Sequence, residues 1–104
     1  MNSDVLTWLQ DWFKAQCDGA WEHDDGIRIE TLDNPGWSVE ISLRGTIYAD
    51  SLRVAGKRHL SDENWIVYEV KDFTFLGFCG PANLSDLLEV FRHAVLECSP
   101  APDE

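Results

Sequence analysis

The segment Trp21-Glu22-His23-Asp24-Asp25 sets one imidazole among three carboxylates. Those groups bind a metal or do general acid–base work when their side chains converge. Neighbours in one loop rarely converge on a single ion, and one histidine is not a ligand set. The segment therefore reads as a solvated acidic loop. A second chemistry would use a thiol. Cys17 with His23 or His93 would supply nucleophile and base, provided the thiol pKa is lowered. Cys17 falls near a helix C-terminus, where the dipole opposes a thiolate. Cys79, ahead of a helix, is better placed, but nothing in the sequence sets a histidine beside it. A third candidate is Gly77-Phe78-Cys79-Gly80-Pro81, which precedes a helix as anion-binding loops do. It has no lysine and no full glycine motif, so it reads as a strand-to-helix turn. His59, next to Lys57 and Arg58, reads as a solvated surface residue. The three cysteines are odd in number and share no Cys-x-x-Cys spacing, which argues against disulfides and structural zinc. No catalytic residue, metal or cofactor is expected.

Charge says more than any of these motifs. Nineteen acids against eight bases give a net charge of −11 over 104 residues. Residues 1–43 and residues 61–104 each hold nine acids and two bases, while residues 44–60 hold four bases and one acid. Such a field repels nucleic acid and anionic membranes and steers basic partners inward. The length fits one domain, 1–104, with an apolar fraction of 44% that suffices for a packed core. No apolar run approaches a membrane span. The start, Met1-Asn2-Ser3-Asp4, has neither a basic n-region nor an apolar h-region, so the expected location is cytoplasmic.

The elements that must position these residues follow from periodicity. Val5, Leu6, Trp8, Leu9, Trp12, Phe13 and Cys17 form a wide helical stripe, with Asn2 or Ser3 as cap and Gly19 as stop. Residues 20–26 show no period and read as a loop. Ile27–Leu32 alternates. Asp33-Asn34-Pro35-Gly36 predicts a type II turn with Gly36 at positive φ. Trp37, Val39, Ile41 and Leu43 then alternate with polar residues, so the two strands should form an antiparallel hairpin. Ile47, Tyr48, Leu52 and Val54 suggest one or two short edge strands among basic neighbours. Trp65–Val70 predicts a centrally placed strand, Lys71-Asp72 a turn, and Phe73–Phe78 a further strand. Asn83 caps a second helix with Asp86 as its box partner; Leu84, Leu87, Leu88, Phe91, Ala94 and Val95 form its stripe. Pro100 ends it, and Ser99–Glu104 should fray. The fold class is α+β: an antiparallel meander of four to six strands with an N-terminal and a C-terminal helix packed on it.

Five tryptophans are many for this length. Periodicity places Trp8, Trp12, Trp37 and Trp65 in the core. Trp21 has two open placements, a plug into the core or an aromatic anchor for a partner.

The segments Trp8-Leu9-Gln10-Asp11-Trp12-Phe13, Gln16-Cys17-Asp18-Gly19 with Trp21-Glu22-His23, and Thr31-Leu32-Asp33-Asn34-Pro35-Gly36-Trp37 resemble the immunity protein 53 family of bacterial polymorphic toxin systems. Trp65-Ile66 and Gly80-Pro81-Ala82-Asn83-Leu84 are similar to it too. Cys79 stands where the family pattern often has a second glycine, and residues 45–60 match loosely. The resemblance implies an inhibitor, not an enzyme, that binds a cognate toxin; it implies no catalytic residues. Many such toxins are nucleases, hence basic, and an acidic inhibitor would be steered to them. The expected contact residues are Trp21, Glu22, His23, Asp24 and Asp25, extended by Asp33 and Asn34 if that turn lies near. The expected state is a monomer or weak homodimer. The competing readings are a small thiol-dependent enzyme and a structural or regulatory subunit of a homo-oligomer.

Overall fold

The computed structural model describes residues 4–98. Helix α1 spans Val5–Gln16. Its cap is Asp4, whose carboxylate accepts from Leu6 N at 3.1 Å and Thr7 Oγ1 at 2.7 Å. The expected caps Asn2 and Ser3 lie outside the described residues. A single helical turn, α2, covers Trp21–Asp24, where a loop was expected. Five strands follow: β1 Ile27–Leu32, β2 Gly36–Ser42, β3 Ala55–Ser61, β4 Asn64–Lys71 and β5 Thr74–Cys79. Helix α3 spans Leu84–Cys98, and the expected tail 99–104 and stop at Pro100 lie outside the described residues.

The strands form one antiparallel sheet in the order β1-β2-β5-β4-β3. The expected α+β class thus holds: helices from both ends of the chain pack on an antiparallel sheet. The meander departs from sequential order at one joint. After the β1–β2 hairpin, residues 43–54 carry the chain to the far edge, and β3-β4-β5 return as a second meander that closes on β2. The connection holds Leu43 and Leu52, both buried, and Tyr48, whose ring lies 6.0 Å from Trp12. It is therefore an ordered strap of turns rather than the short strands expected at Ile47–Val54. The edge strand starts at Ala55 and exposes Lys57, Arg58 and His59, and its two cations discourage pairing with another chain.

Alternation sorts the sheet into two faces. Val39, Ile41, Ile66, Phe75 and Cys79 are buried on the face that takes the helices. Phe91 of α3 is the hub there, with ring centroids 5.0 Å from Trp12, 5.1 Å from Phe75 and 6.0 Å from Trp8. Gly77 lets α3 come close, since a Cβ there would meet Leu87 Cδ1 at 2.7 Å. The buried stripe of α1 is narrower than periodicity implied: Val5, Leu9 and Trp12 are inside, whereas Leu6 and Phe13 face outward.

Two turns differ from expectation for physical reasons. Gly36 has no positive φ, so the type II reading fails. Glycine is required there because a Cβ would collide with the Cys79 carbonyl of the neighbouring β5. The β4–β5 hairpin closes over Asp72-Phe73, with Lys71 opposite Thr74. Both turn residues adopt left-handed φ, 53° and 61°, so Phe73 belongs to the turn and not to the strand.

Asn83 also departs from the expected capping box. Its side chain is buried at 4% exposure. Asn83 Oδ1 accepts from Trp65 N at 3.1 Å, while Nδ2 donates to Asn64 Oδ1 at 3.1 Å and to Asp86 Oδ2 at 2.9 Å. The asparagine ties the start of α3 to the start of β4.

Candidate protein-binding site

The loop after α1 is built around two carboxylates. Asp18 Oδ1 accepts from Ala20 N and Trp21 N, each at 3.0 Å. These amides, that of Trp21 first, hold its carboxyl below the usual carboxylate range. Glu22 reaches back to Asp18 N at 2.9 Å and Gly19 N at 2.8 Å. Its own amide and those two hold its pKa down as well. Much of the hydrogen-bonding capacity of Glu22 is thus spent within its own loop.

Trp21 points inward. It is 4% exposed, sits 5.9 Å from Trp12 and 5.6 Å from Phe13, and donates from Nε1 to the Ser42 carbonyl at 3.3 Å. The expectation of Trp21 as an anchor for a partner is corrected: it is the plug. His23, Asp24 and Asp25 remain exposed. Asp25 is not free of bases, since Arg44 Nε lies 4.0 Å from its Oδ1. Asp24 and Asp25 line a cleft of about 180 Å³ with Arg28, Glu40, Ser42 and Arg44. Beside it Phe73 is 44% exposed, and the Arg44 guanidinium lies 5.5 Å from its ring centroid.

Asp33 and Asn34 do not join this cluster. They close β1 at its far end, and six residues at about 3.3 Å each put them roughly 20 Å away. Asn34 instead lines a cleft of about 470 Å³ with Pro35, His59, Asp62, Glu63 and Trp65. A third cleft, of about 330 Å³, lies between them and involves Lys57, Val67, Glu69, Leu76 and Phe78. Two exposed aromatics, Phe73 and Phe78, were missed as surface features. For Phe78 the signal was present: if Phe75 and Cys79 face the core, alternation sends Phe78 to the other side. For Phe73 there was none, because a bulky residue at positive φ is unusual.

Cys17 and Cys79 are poorly suited to catalysis. Cys79 is fully buried, and burial pushes its pKa up to about 11. Burial, then Glu22 and Asp18, pushes Cys17 up, and its Sγ donates to the Phe13 carbonyl at 3.3 Å. Among the described residues no group of three or more His, Cys, Asp or Glu is placed to hold a metal ion, and no helix is long and apolar enough to cross a membrane.

The sequence matches the family described as Immunity protein 53 over residues 6–96, most of its length. The chain belongs to the immunity protein 53 family. Comparison with curated proteins and with solved structures returns no match. The immunity protein 53 match runs through the three helices and all five strands, so it covers the clefts as well as the core.

Proposed function

We propose that this chain neutralises a cognate bacterial toxin domain by binding it directly in the cytoplasm, and that it catalyses no reaction. Membership of the immunity protein 53 family carries the reading. The raised thiol pKa values of Cys17 and Cys79 favour binding over thiol chemistry. The net charge of −11 supports a basic partner, such as a nuclease domain, and disfavours nucleic acid or anionic membrane as the target. The chain acts as a monomer or weak homodimer. Of the expected contact residues, His23, Asp24 and Asp25 at one end of the sheet and Asp33 and Asn34 at the other remain available to a partner; Trp21 belongs to the core and Glu22 to its own loop.

The test pairs the toxin domain encoded in the adjoining gene with this chain. Co-expression should rescue growth, and the purified proteins should form a complex whose association slows as salt rises. Replacing Asp24 and Asp25 together by Lys should slow association and flatten that salt dependence. Rescue without any complex would favour an enzyme, and absence of both would reject the immunity reading for this pair.

A further inference from the structure

We propose that the sheet face opposite the helices is the toxin-docking surface, with Phe78 as its central anchor and acidic segments at both ends as its rim. This rests on the immunity reading above and adds to it the place of contact. β5 is the middle strand, and Phe78 stands on its outer side between Ser38 of β2 and Val67 of β4. It is 41% exposed, and the outer side of the sheet is covered by no helix among the described residues. Phenylalanine and threonine both suit a strand, but the 41% exposure of Phe78 leaves ring surface that its neighbours in the sheet do not cover.

The three clefts described above all border this face. Its apolar middle is Phe78, Leu76 and Val67; Trp65, which periodicity placed in the core, stands on this face instead, toward one end, because its neighbour Ile66 takes the inward position. Five strands about 4.8 Å apart, each about 20 Å long, give a face of roughly 500 Å². A stable complex buries about 800 Å² on each partner, so contact must extend onto the chain segments at the two ends. Those segments expose Asp24, Asp25 and Asp72 at one end and Asp33, Asp62 and Glu63 at the other. Arg28, Arg44, Lys57 and Lys71 share the face and its edge, and two of them are paired there: Arg28 lies 4.0 Å from Glu40 and Arg44 4.0 Å from Asp25. An apolar centre inside a mainly acidic rim fits a toxin surface that offers an apolar pocket ringed by lysine and arginine. A second copy of this chain would set the same acidic rims against each other.

Affinity for the toxin domain of the adjoining gene, measured by calorimetry on folded variants, tests the assignment. Phe78→Glu should weaken binding at least about a hundredfold and Phe78→Thr about tenfold or more, as loss of a central anchor does. Leu96→Glu, on the exposed side of α3, should bind as the parent does. If Phe78→Glu does not fold, Phe78→Thr and hydroxyl-radical footprinting decide. Protection of Phe78 and Trp65 in the complex supports the surface, and protection confined to α1 and α3 overturns it. Parent-like binding by a folded Phe78→Glu, or loss by Leu96→Glu instead, also overturns it while leaving the immunity function intact. A dimer of the chain alone that Phe78→Glu abolishes would assign the face to a second copy. No complex with the unaltered chain would reject the functional reading and the surface together.

Discussion

Cys79 shows how far one side chain can be read from its surroundings. Burial raises its thiol from the ordinary 9.0 to about 11. The unfolded chain therefore ionises first as pH rises. The stability tied to the protonated thiol is complete below about pH 9 and is lost between about pH 9 and 11, by about 3 kcal/mol at most. Urea titrations across that window should show the fall in the parent, and its reduction in Cys79→Ala. Phe73 offers a second case. Left-handed φ in a bulky residue costs about 1–3 kcal/mol, against about 0.5–1 kcal/mol from an exposed cation–π contact and some half-buried ring surface. Phe73→Asn keeps the turn geometry, and its unfolding free energy, from chemical denaturation, should rise by up to about 1 kcal/mol; a clear loss would assign the ring a packing role. Legibility at this scale depended on whether the controlling neighbour was local. The inward alternation of Val39, Ile41 and Leu43 could be read directly. The reason for Gly36 could not, because the carbonyl that excludes a Cβ belongs to Cys79, far along the chain. Trp21 was undecidable for the same reason: Trp12 and the Ser42 carbonyl that hold it come from other elements.

Elements with strong periods were legible, and those held by tertiary contacts were not. Both long helices and the β1–β2 hairpin follow from spacing alone. The strap from Leu43 to Val54 misled because its apolar residues suggested strands. Tyr48 packs against Trp12 of α1 and Leu52 is buried in the core, and neither pairs in the sheet. The acidic turn α2 carries no helical signal in the sequence, because four residues are too few to show a stripe. At the other end of the sheet, Asn83 connects two elements that the sequence leaves separate. Asn83→Ala would strip the acceptor from Trp65 N and the donor from Asn64 and Asp86. Loss of a buried, multiply bonded amide of this kind should cost about 2–3 kcal/mol. Chemical denaturation would measure it, and a loss under about 0.5 kcal/mol would mean that water replaces the network. Of the expected contact residues, the two ends of β1 could not be told apart in advance. The extension to Asp33 and Asn34 depends on whether that turn lies near the acidic loop, and a six-residue strand separates the two.

Over the whole molecule, a net charge of −11 acts against compactness, since nineteen carboxylates share one small surface with eight cations. Moderate salt should therefore raise the thermal midpoint by a few degrees while it slows toxin association. These opposite responses come from the same field, screened within the chain in one case and between chains in the other. Thermal melts at low and at 0.5 M salt, a concentration about fivefold above the ~0.1 M at which the Debye length is ~10 Å, would check the first; a midpoint that falls would show that ion pairs such as Arg58–Asp86, 3.5 Å apart, outweigh the repulsion. The order of the strands has a consequence of another kind. The hairpin and the second meander meet along a single seam, β2 against β5, and the covalent link across it is the strap of turns. Each half brings one long helix and part of one core: Val39 and Ile41 from the first, Phe75 and Phe91 from the second. A break in residues 44–51 would leave two fragments, each with a bare half-core and a complementary strand edge. Such pieces should be unstructured apart and should reassemble on mixing, which makes the chain a natural candidate for a split reporter.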